Sequence, residues 1–286
     1  MAVVNTNINS SVAQQALVRN ERSMNTAMER LSTGQRINSA ADDAAGLAIS
    51  SRMTSQIKGL ETGIRNANDA ISMVNTAEGA LIEVTNMLQR MRELALQASN
   101  GTTTSDDRTY LNSEYANLIL EIDRIADNTE WNGEKLLNHG TAASSTFKFQ
   151  VGANGGQTIA VDFGDFRDTG SGVMMGVASS NKSIAAGTTA SALTTGSAAV
   201  TALDTAIKGV NTQRATFGAA VNQLTYAVDN LASVKTNAEA SRSRILDTDY
   251  ATETSELART QIIQQAGTAM LAQANQLPQT VLSLLQ

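Results

Sequence analysis

The chain has 286 residues, a formal net charge of −6 and no Lys/Arg-rich run, so nucleic acid is not expected to be its main partner. It has no cysteine and one histidine, His139, which excludes disulfides and Cys-ligated zinc and leaves too few groups for Ser-His-Asp chemistry. Its first residues lack the basic and apolar regions of a secretory signal peptide, and no apolar run reaches about 18 residues, so neither a signal peptide nor a membrane-spanning helix is predicted. No catalytic residue, metal or cofactor is expected.

Both ends of the chain are uncharged: Arg19 is the first charged residue and Arg259 the last. Apolar residues recur there at helical spacing. These predicted self-assembly residues are Ile8, Val12, Leu17, Met24 and Leu31 at the start, and Ile263, Met270, Leu277, Val281 and Leu284 at the end. We predict that both ends are disordered or marginal in the monomer and bury their stripes against copies of the chain, where charge would be costly to desolvate. A membrane-surface helix is the alternative, but it would carry Lys or Arg on its polar face.

The stretch that follows is rich in small and polar residues. Gly34 can end the first helix, and Ser39 or Asp42 can cap the next. From Met53 to Ala95 apolar residues alternate three and four apart, which is the pattern of a coiled-coil seam. At about 1.5 Å per residue, this segment predicts a helix of roughly 60–70 Å that requires partner helices.

A break at 99–109 separates this helix from a shorter one. Thr104 or Ser105 can cap the second helix, which has its own seam between Leu111 and Ile125 and ends near Asp127. Asn132-Gly133 then predicts a turn, beside a tryptophan that we interpret as a packing anchor.

From Thr146 the apolar period changes to two. The alternating runs 147–151 and 159–163 predict a β-hairpin with one apolar face laid on the helices. Residues 164–198 are rich in Gly, Ser, Thr and Ala and predict a surface segment, whose Ser and Thr residues permit O-glycosylation.

A third seam occupies residues 200–231, with Arg214 its only polar interruption. Three seams in one chain predict a mainly α fold: an elongated coiled-coil helical bundle with a small β-hairpin, and terminal helices that pair into a second coiled coil. The alternative is a set of ordinary amphipathic helices around a globular core.

Two long stretches carry a family resemblance. The segment from Leu31 to Met53 (LSTGQRINSAADDAAGLAISSRM) resembles the N-terminal signature of bacterial flagellins, and the segment from Ala251 to Gln286 resembles their C-terminus. The resemblance implies a structural subunit that polymerises into the extracellular flagellar filament for swimming, is exported by the flagellar type III system, and meets an export chaperone and the filament cap and hook-associated proteins.

The resemblance also implies a division of the chain. Residues 1–44 with 246–286 would form an inner-tube domain of terminal coiled coil, and residues 45–165 with 198–245 an outer-tube domain. Residues 166–197 would be a short variable surface segment, without the large outer domains of longer flagellins.

The resemblance also extends to residues that the family uses to bind other proteins. The segment 89–97 (QRMRELALQ) matches the family's segment recognised by Toll-like receptor five, which implies receptor-recognition roles for Gln89, Arg90, Glu93, Leu94 and, on the neighbouring helix, Glu114. Arg90 and Leu94 are four residues apart and are expected on one helix face. Within 255–286 the chaperone is expected to bind through Leu257, Ile262, Met270 and Leu277.

Three other functions are weighed against the filament subunit. A hook–filament junction protein would share the terminal helices. A monomeric coiled-coil binding module would not polymerise. An enzyme lacks sequence support, since no phosphate-binding glycine loop or two-histidine zinc motif is present.

Overall fold

The computed structural model describes residues 7–139, 145–166 and 189–283, without the side chains of 189–195 and 277–283. The described residues form helices α1 Ile8–Thr33, α2 Ala44–Ala98, α3 Ser105–Asn128, α4 Thr189–Leu246 and α5 Tyr250–Ser283. The strands are β1 Glu130–Trp131, β2 Glu134–Lys135, β3 Thr146–Gln150 and β4 Thr158–Asp162. The predicted mainly α fold with a small hairpin is confirmed. Most of the predicted variable segment lies outside the described residues.

The chain divides into two compact units. Unit 1 comprises Met1–Ile57 and Thr236–Gln286, and unit 2 comprises Lys58–Lys235. Helices α2 and α4 contribute residues to both. The domain limits drawn from the resemblance stay a prediction.

The predicted seams hold unit 2 together. On α2, every seventh residue from Leu60 to Ala95 is buried, and on α4 the same is true from Leu203 to Leu224. α3 adds Tyr115 and Ile122 to this core. A buried Leu, Ile or Phe side chain contributes roughly 1.5–3 kcal/mol relative to an exposed one, so the seams account for much of the driving force.

Both predicted turns of the β region are present. Asn132 and Gly133 have φ of 52° and 82°, as a two-residue turn between paired strands requires. β3 and β4 pair antiparallel, with Phe147 opposite Val161 and Phe149 opposite Ile159. Their apolar side chains pack against the core, and Trp131 is partly buried there as a packing anchor.

The helix ends follow local chemistry, with one exception. Gly34 ends α1 in the left-handed conformation, and Thr104 caps α3 in a reciprocal capping box with Asp107. The prediction that Ser39 or Asp42 caps α2 is wrong, because Asp43 Oδ1 accepts the Gly46 N–H at 2.8 Å.

Asp42 instead closes the turn that precedes α2. It accepts the N–H groups of Ser39 and Asn38 and the Ser39 hydroxyl. The Ser39 backbone N–H, and then the Ser39 hydroxyl, hold the pKa of the Asp42 carboxyl below its ordinary value. The stabilisation is therefore present above the unfolded pKa and is lost as pH falls through the lowered value.

A buried arginine closes the end of α2. The last carbonyls of a helix lack partners within it and carry partial negative charge. Arg108 from α3 is buried, and its guanidinium donates to the carbonyl oxygens of Ala98 at 3.1 Å and Asn100 at 3.3 Å. One side chain thus supplies a donor to the last carbonyl of α2 and to the α2–α3 turn that follows it.

We expect Arg108→Ala to lower the stability of the α2–α3 turn by about 1–3 kcal/mol, because the carbonyl of buried Ala98 loses its donor and the Asn100 carbonyl loses one of its two. Amide hydrogen exchange of α3 measures this change. Arg65→Ala, which removes an exposed arginine from α2, is the matched control and is expected to stay within about 0.5 kcal/mol. Equal protection in both variants would contradict this role of Arg108.

Candidate functional site

α1 and α5 pack antiparallel in unit 1. Asn7 at the start of α1 donates to the Ala274 carbonyl at 2.8 Å, and Arg30 near its end pairs with Glu253 at 2.9 Å. Between these points Leu17 lies against Gly267, where a Cβ would come within 2.6 Å of Leu17 Cδ2. The absence of a side chain at position 267 therefore lets the two helices approach closely.

The seam between α1 and α5 is built from small and polar residues as much as from large apolar ones. Ala27, Asn20 and Thr260 are buried in it, and the Asn20 amide donates to the Thr260 carbonyl at 2.7 Å. Residues with intermediate exposure complete the seam: Ala13, Leu17, Met24 and Leu31 on α1, and Leu257, Gln264, Leu271 and Ala274 on α5.

The Arg30–Glu253 pair is largely withdrawn from water. Side-chain exposure is 30% for Arg30 and 11% for Glu253, and the Glu253 carboxylate lies in the first turn of α5, where negative charge is favourable. A half-buried pair of this kind contributes more to directing the packing than to net stability, because desolvation offsets much of the Coulomb attraction.

Large apolar side chains remain on the outside of the paired helices. Ile8 is 62% exposed, Val12 61%, Ile263 40% and Met270 65%. All four belong to the uncharged parts of the chain, before Arg19 or after Arg259. We call these four residues the outer apolar residues.

The predicted self-assembly residues therefore separate into two sets. Ile8, Val12, Ile263 and Met270 lie outside, whereas Leu17, Met24 and Leu31 lie in the seam within the chain. The side chains of Leu277, Val281 and Leu284 lie outside the described residues. The described parts of both ends are helical, in α1 and α5, and the stability of these helices in the monomer stays a prediction.

Sequence reasoning assigned no assembly role to three other exposed, large, non-aromatic apolar side chains of the same helices. Val18, Met28 and Ile262 have 46%, 48% and 67% of their surface exposed. The first two fall off the seven-residue steps, so periodicity gave no signal for an assembly role, and Ile262 was predicted only as a chaperone contact.

The segments that join the helices of unit 1 also pair with each other. The Arg36 N–H donates to the Leu246 carbonyl at 2.7 Å, and the Thr248 N–H donates to the Gly34 carbonyl at 3.1 Å. The Arg36 side chain adds a bond to the Ile245 carbonyl at 2.8 Å, at the end of α4. The start of α5 is thus fixed beside the end of α1.

A second candidate site lies on unit 2. Arg90 Nε donates to Glu114 at 2.8 Å and Nη1 donates to Glu93 at 3.1 Å, so α2 and α3 bring together three of the predicted receptor residues. The hydrogen bond that Arg90 donates to Glu114, and then the one it donates to Glu93, raise the pKa of Arg90 above its ordinary value. The Arg90 side chain is still 50% exposed, and Gln89 is exposed beside it.

Leu94 does not belong to this surface. It is 1% exposed and lies in the core with Met91 and Ala95. Although Leu94 is one turn from Arg90 along α2, it falls on the edge of the stripe that faces the core. Its predicted role in recognition stays a prediction. Any role it has in recognition acts through the position of α2.

Nothing in the described ranges resembles a metal centre. No group of three or more His, Asp or Glu side chains there is placed to hold an ion. His139 contacts the Leu136 carbonyl at 2.8 Å and the edge of Phe147, so its environment is structural. Among the described helices none has the length and apolar character needed to cross a bilayer.

Comparison with known proteins matches both ends of the chain. Residues 4–142 match the model of the bacterial flagellin N-terminal helical region, and residues 200–285 match that of the C-terminal helical region. A flagellin of Halalkalibacterium halodurans is 43% identical over 284 residues, covering 99% of this chain and 100% of that protein. Flagellin A of Vibrio cholerae is 37% identical over 378 residues, covering 99% of each.

Solved structures give weaker likenesses. The crystal structure of Bacillus cereus flagellin is 34% identical with a TM-score of 0.49, and covers 58% of this chain and 88% of that one. A provisionally named flagellar hook-associated protein of Vibrio parahaemolyticus is 16% identical with a TM-score of 0.53, and covers 72% and 100%. At that identity the second likeness shows the fold alone.

Proposed function

The chain belongs to the bacterial flagellin family and is a structural subunit of the extracellular flagellar filament, not an enzyme, and on this premise we propose that it polymerises through the outer apolar residues of α1 and α5. The observation that carries the proposal is the exposure of Ile8, Val12, Ile263 and Met270 after the two helices have paired.

Physical chemistry favours burial of these residues in a polymer. Each large apolar side chain moved from water into an interface contributes roughly 1.5–3 kcal/mol before association costs. The surrounding parts of α1 and α5 contain no charge that would have to be desolvated. A contact between different faces of neighbouring copies does not close, and so generates a helical filament.

The same reasoning supports a layered subunit. We place the terminal domain, 1–44 with 246–286, in the inner tube, and 45–165 with 198–245 in the outer tube, with 166–197 as the variable surface segment. The paired linkers at Gly34 and Thr248 support this boundary in unit 1. A filament map with the terminal helices on its outer surface would contradict the assignment.

The hook–filament junction function, the alternative raised by the sequence, has less support. The matching family is that of the filament subunit, and the likeness to a hook-associated protein concerns the fold alone. Cap and hook-associated proteins are instead proposed as partners that meet the same terminal surface at the ends of the polymer. Equal affinity of a cap protein for the unchanged chain and for the Val12→Asp variant would contradict this.

The assembly proposal predicts that the full chain, after seeding or addition of salt, forms filaments visible by electron microscopy. A chain without residues 1–30 and 256–286 is expected to stay monomeric. Val12→Asp and Met270→Asp are each expected to lower the fraction of polymer at least about tenfold, because a carboxylate buried in an apolar contact costs more than 1.4 kcal/mol.

Val234→Asp provides the matched control, since it places the same charge at an exposed valine of α4. It is expected to leave the polymer fraction within about twofold of the unchanged chain. Filaments from the truncated chain would contradict assembly through the termini, and filaments from neither chain would favour the junction function.

Export is proposed to proceed through the flagellar type III system, with a chaperone on 255–286. Ile262 and Met270 are exposed and can contact a partner, whereas Leu257 is partly covered by α1. The Leu277 side chain is not among those that the structure describes. A chaperone that uses all four residues must therefore bind α5 before α1 packs on it.

Deletion of 255–286 is expected to abolish chaperone binding measured by calorimetry, and Ile262→Asp to weaken it about tenfold. Val18→Asp on α1 is the control and is expected to leave affinity unchanged. Binding that survives the deletion, or secretion that continues without the type III apparatus, would contradict these proposals.

Recognition by Toll-like receptor five is proposed at the surface formed by Gln89, Arg90, Glu93 and Glu114. It is supported by the convergence of Arg90 with both carboxylates at a half-exposed position. The Arg90 guanidinium and the carboxylates of Glu93 and Glu114 already hold one another in place. A partner can therefore use them as donors and acceptors without further ordering of the side chains.

Arg90→Ala in monomeric protein is expected to lower receptor activation in a reporter-cell assay by about tenfold or more, since a charge-assisted hydrogen bond is worth roughly 1.5–3 kcal/mol. Arg65→Ala, which removes another exposed arginine of α2, is expected to have no effect. Unchanged activation by Arg90→Ala would remove the basis of this proposal.

A further inference from the structure

Three Asn-Gly dipeptides occur in different surroundings: 100–101, 132–133 and 154–155. In such a sequence the backbone nitrogen of glycine can attack the asparagine Cγ, because no side chain on the glycine hinders the approach. The reaction requires rotation of the asparagine side chain and of the backbone at the dipeptide. The conformation of each site therefore decides which one reacts.

Asn100 is held in the turn between α2 and α3. Its Oδ1 accepts the Thr102 N–H at 3.4 Å, and its carbonyl accepts the Thr103 N–H and the buried Arg108 guanidinium. Ring closure at this residue would break the bonds that end α2. Its side chain and its backbone are both constrained.

Asn132 is held by the tight turn between β1 and β2. Only two residues connect the strands, and both have positive φ. Rotation of the backbone here would separate Trp131 from its partner Glu134 and withdraw tryptophan from the core. The short loop therefore opposes the geometry that the five-membered ring needs.

Asn154 lies in the longer connection between β3 and β4, residues 151–157. Asn154, Gly155 and Gly156 are all exposed, and within the described ranges neither the Asn154 side-chain amide nor the Gly155 N–H has a hydrogen-bond partner. The Asn154 N–H donates to Gln157 Oε1 at 3.1 Å, and the Asn154 carbonyl accepts Gln150 Nε2 at 2.6 Å and the Gln157 N–H at 3.4 Å. Neither glutamine is buried, in contrast to the Arg108 that holds Asn100, and two successive glycines follow Asn154 in the chain.

We propose that Asn154 is a site of spontaneous deamidation in the folded protein. The deprotonated Gly155 nitrogen forms a bond to Asn154 Cγ and ammonia leaves, which gives a cyclic succinimide. Water then opens the ring at either carbonyl and gives aspartate or isoaspartate. No oxidant or reductant takes part.

The product changes the charge of a groove on unit 2. Lys58, Asn66 and Gln150 line this groove together with Asn154 and Gly155. Conversion replaces a neutral amide by a carboxylate in a groove that also holds the Lys58 ammonium group. One unit of negative charge is therefore added where the hairpin connection approaches α2.

The test is incubation of the folded full chain in mildly alkaline buffer, followed by peptide mass spectrometry of all three sites. We expect Asn154 to convert at least about tenfold faster than Asn100 or Asn132, which corresponds to roughly 1.4 kcal/mol in activation free energy. In concentrated urea the three rates are expected to converge. A similar rate at all three sites in the folded chain, or a tenfold spread that persists in urea, would overturn the inference.

Gly155→Ala separates the chemistry from the fold. A Cβ at position 155 meets no atom within 4 Å, and the residue does not need positive φ, so the variant is expected to keep the hairpin. Its methyl group hinders the attacking nitrogen, and the rate at Asn154 is expected to fall about tenfold. An unchanged rate would overturn the proposed reaction, whatever the outcome of the filament and receptor experiments.

Discussion

The close approach of α1 and α5 is the contact on which unit 1 depends. Leu17 occupies the space that a side chain at Gly267 would fill, and Asn20 and Thr260 are buried beside it. Small and polar residues share this seam with leucine and methionine, and other large apolar side chains of the same helices, such as Val12 and Met270, stay outside. A seam that buried them would give a more stable helix pair with less apolar surface left for another copy.

Polar contacts direct the packing in both units, while apolar seams supply most of the energy. In unit 1 the Arg30–Glu253 pair and the bonded linkers fix where α5 begins relative to α1. In unit 2, Arg92 pairs with Asp204 at 2.6 Å. Seams that repeat every seven residues bury similar area after a shift of one repeat, so specific polar partners are needed to select one alignment.

Sequence reasoning succeeded where a single local pattern decides the outcome. The seven-residue steps predicted the buried positions of α2 and α4. Gly34 ends α1 and Thr104 caps α3, as predicted from their chemistry. It failed where tertiary packing decides between neighbouring residues that are equally suitable by their local sequence. Asp43 caps α2 instead of its neighbour Asp42. The burial of Leu94, one turn from exposed Arg90, was not predicted either way. In the terminal helices, the seam residues and the outer apolar residues follow the same seven-residue period, so the period does not separate them. Asn20 and Gly267 mark the seam, but neither is a large apolar residue that an apolar pattern would identify.

The position of the tryptophan has a consequence for spectroscopy. Trp131 is the one tryptophan of the chain, and it lies in β1 of unit 2 against the core. Its fluorescence emission therefore reports the environment of unit 2 and carries no direct signal from α1 or α5. Far-ultraviolet circular dichroism, in contrast, sums over the helices of both units. An unfolding curve recorded by emission alone would look two-state even if the terminal helices had already melted at a lower denaturant concentration.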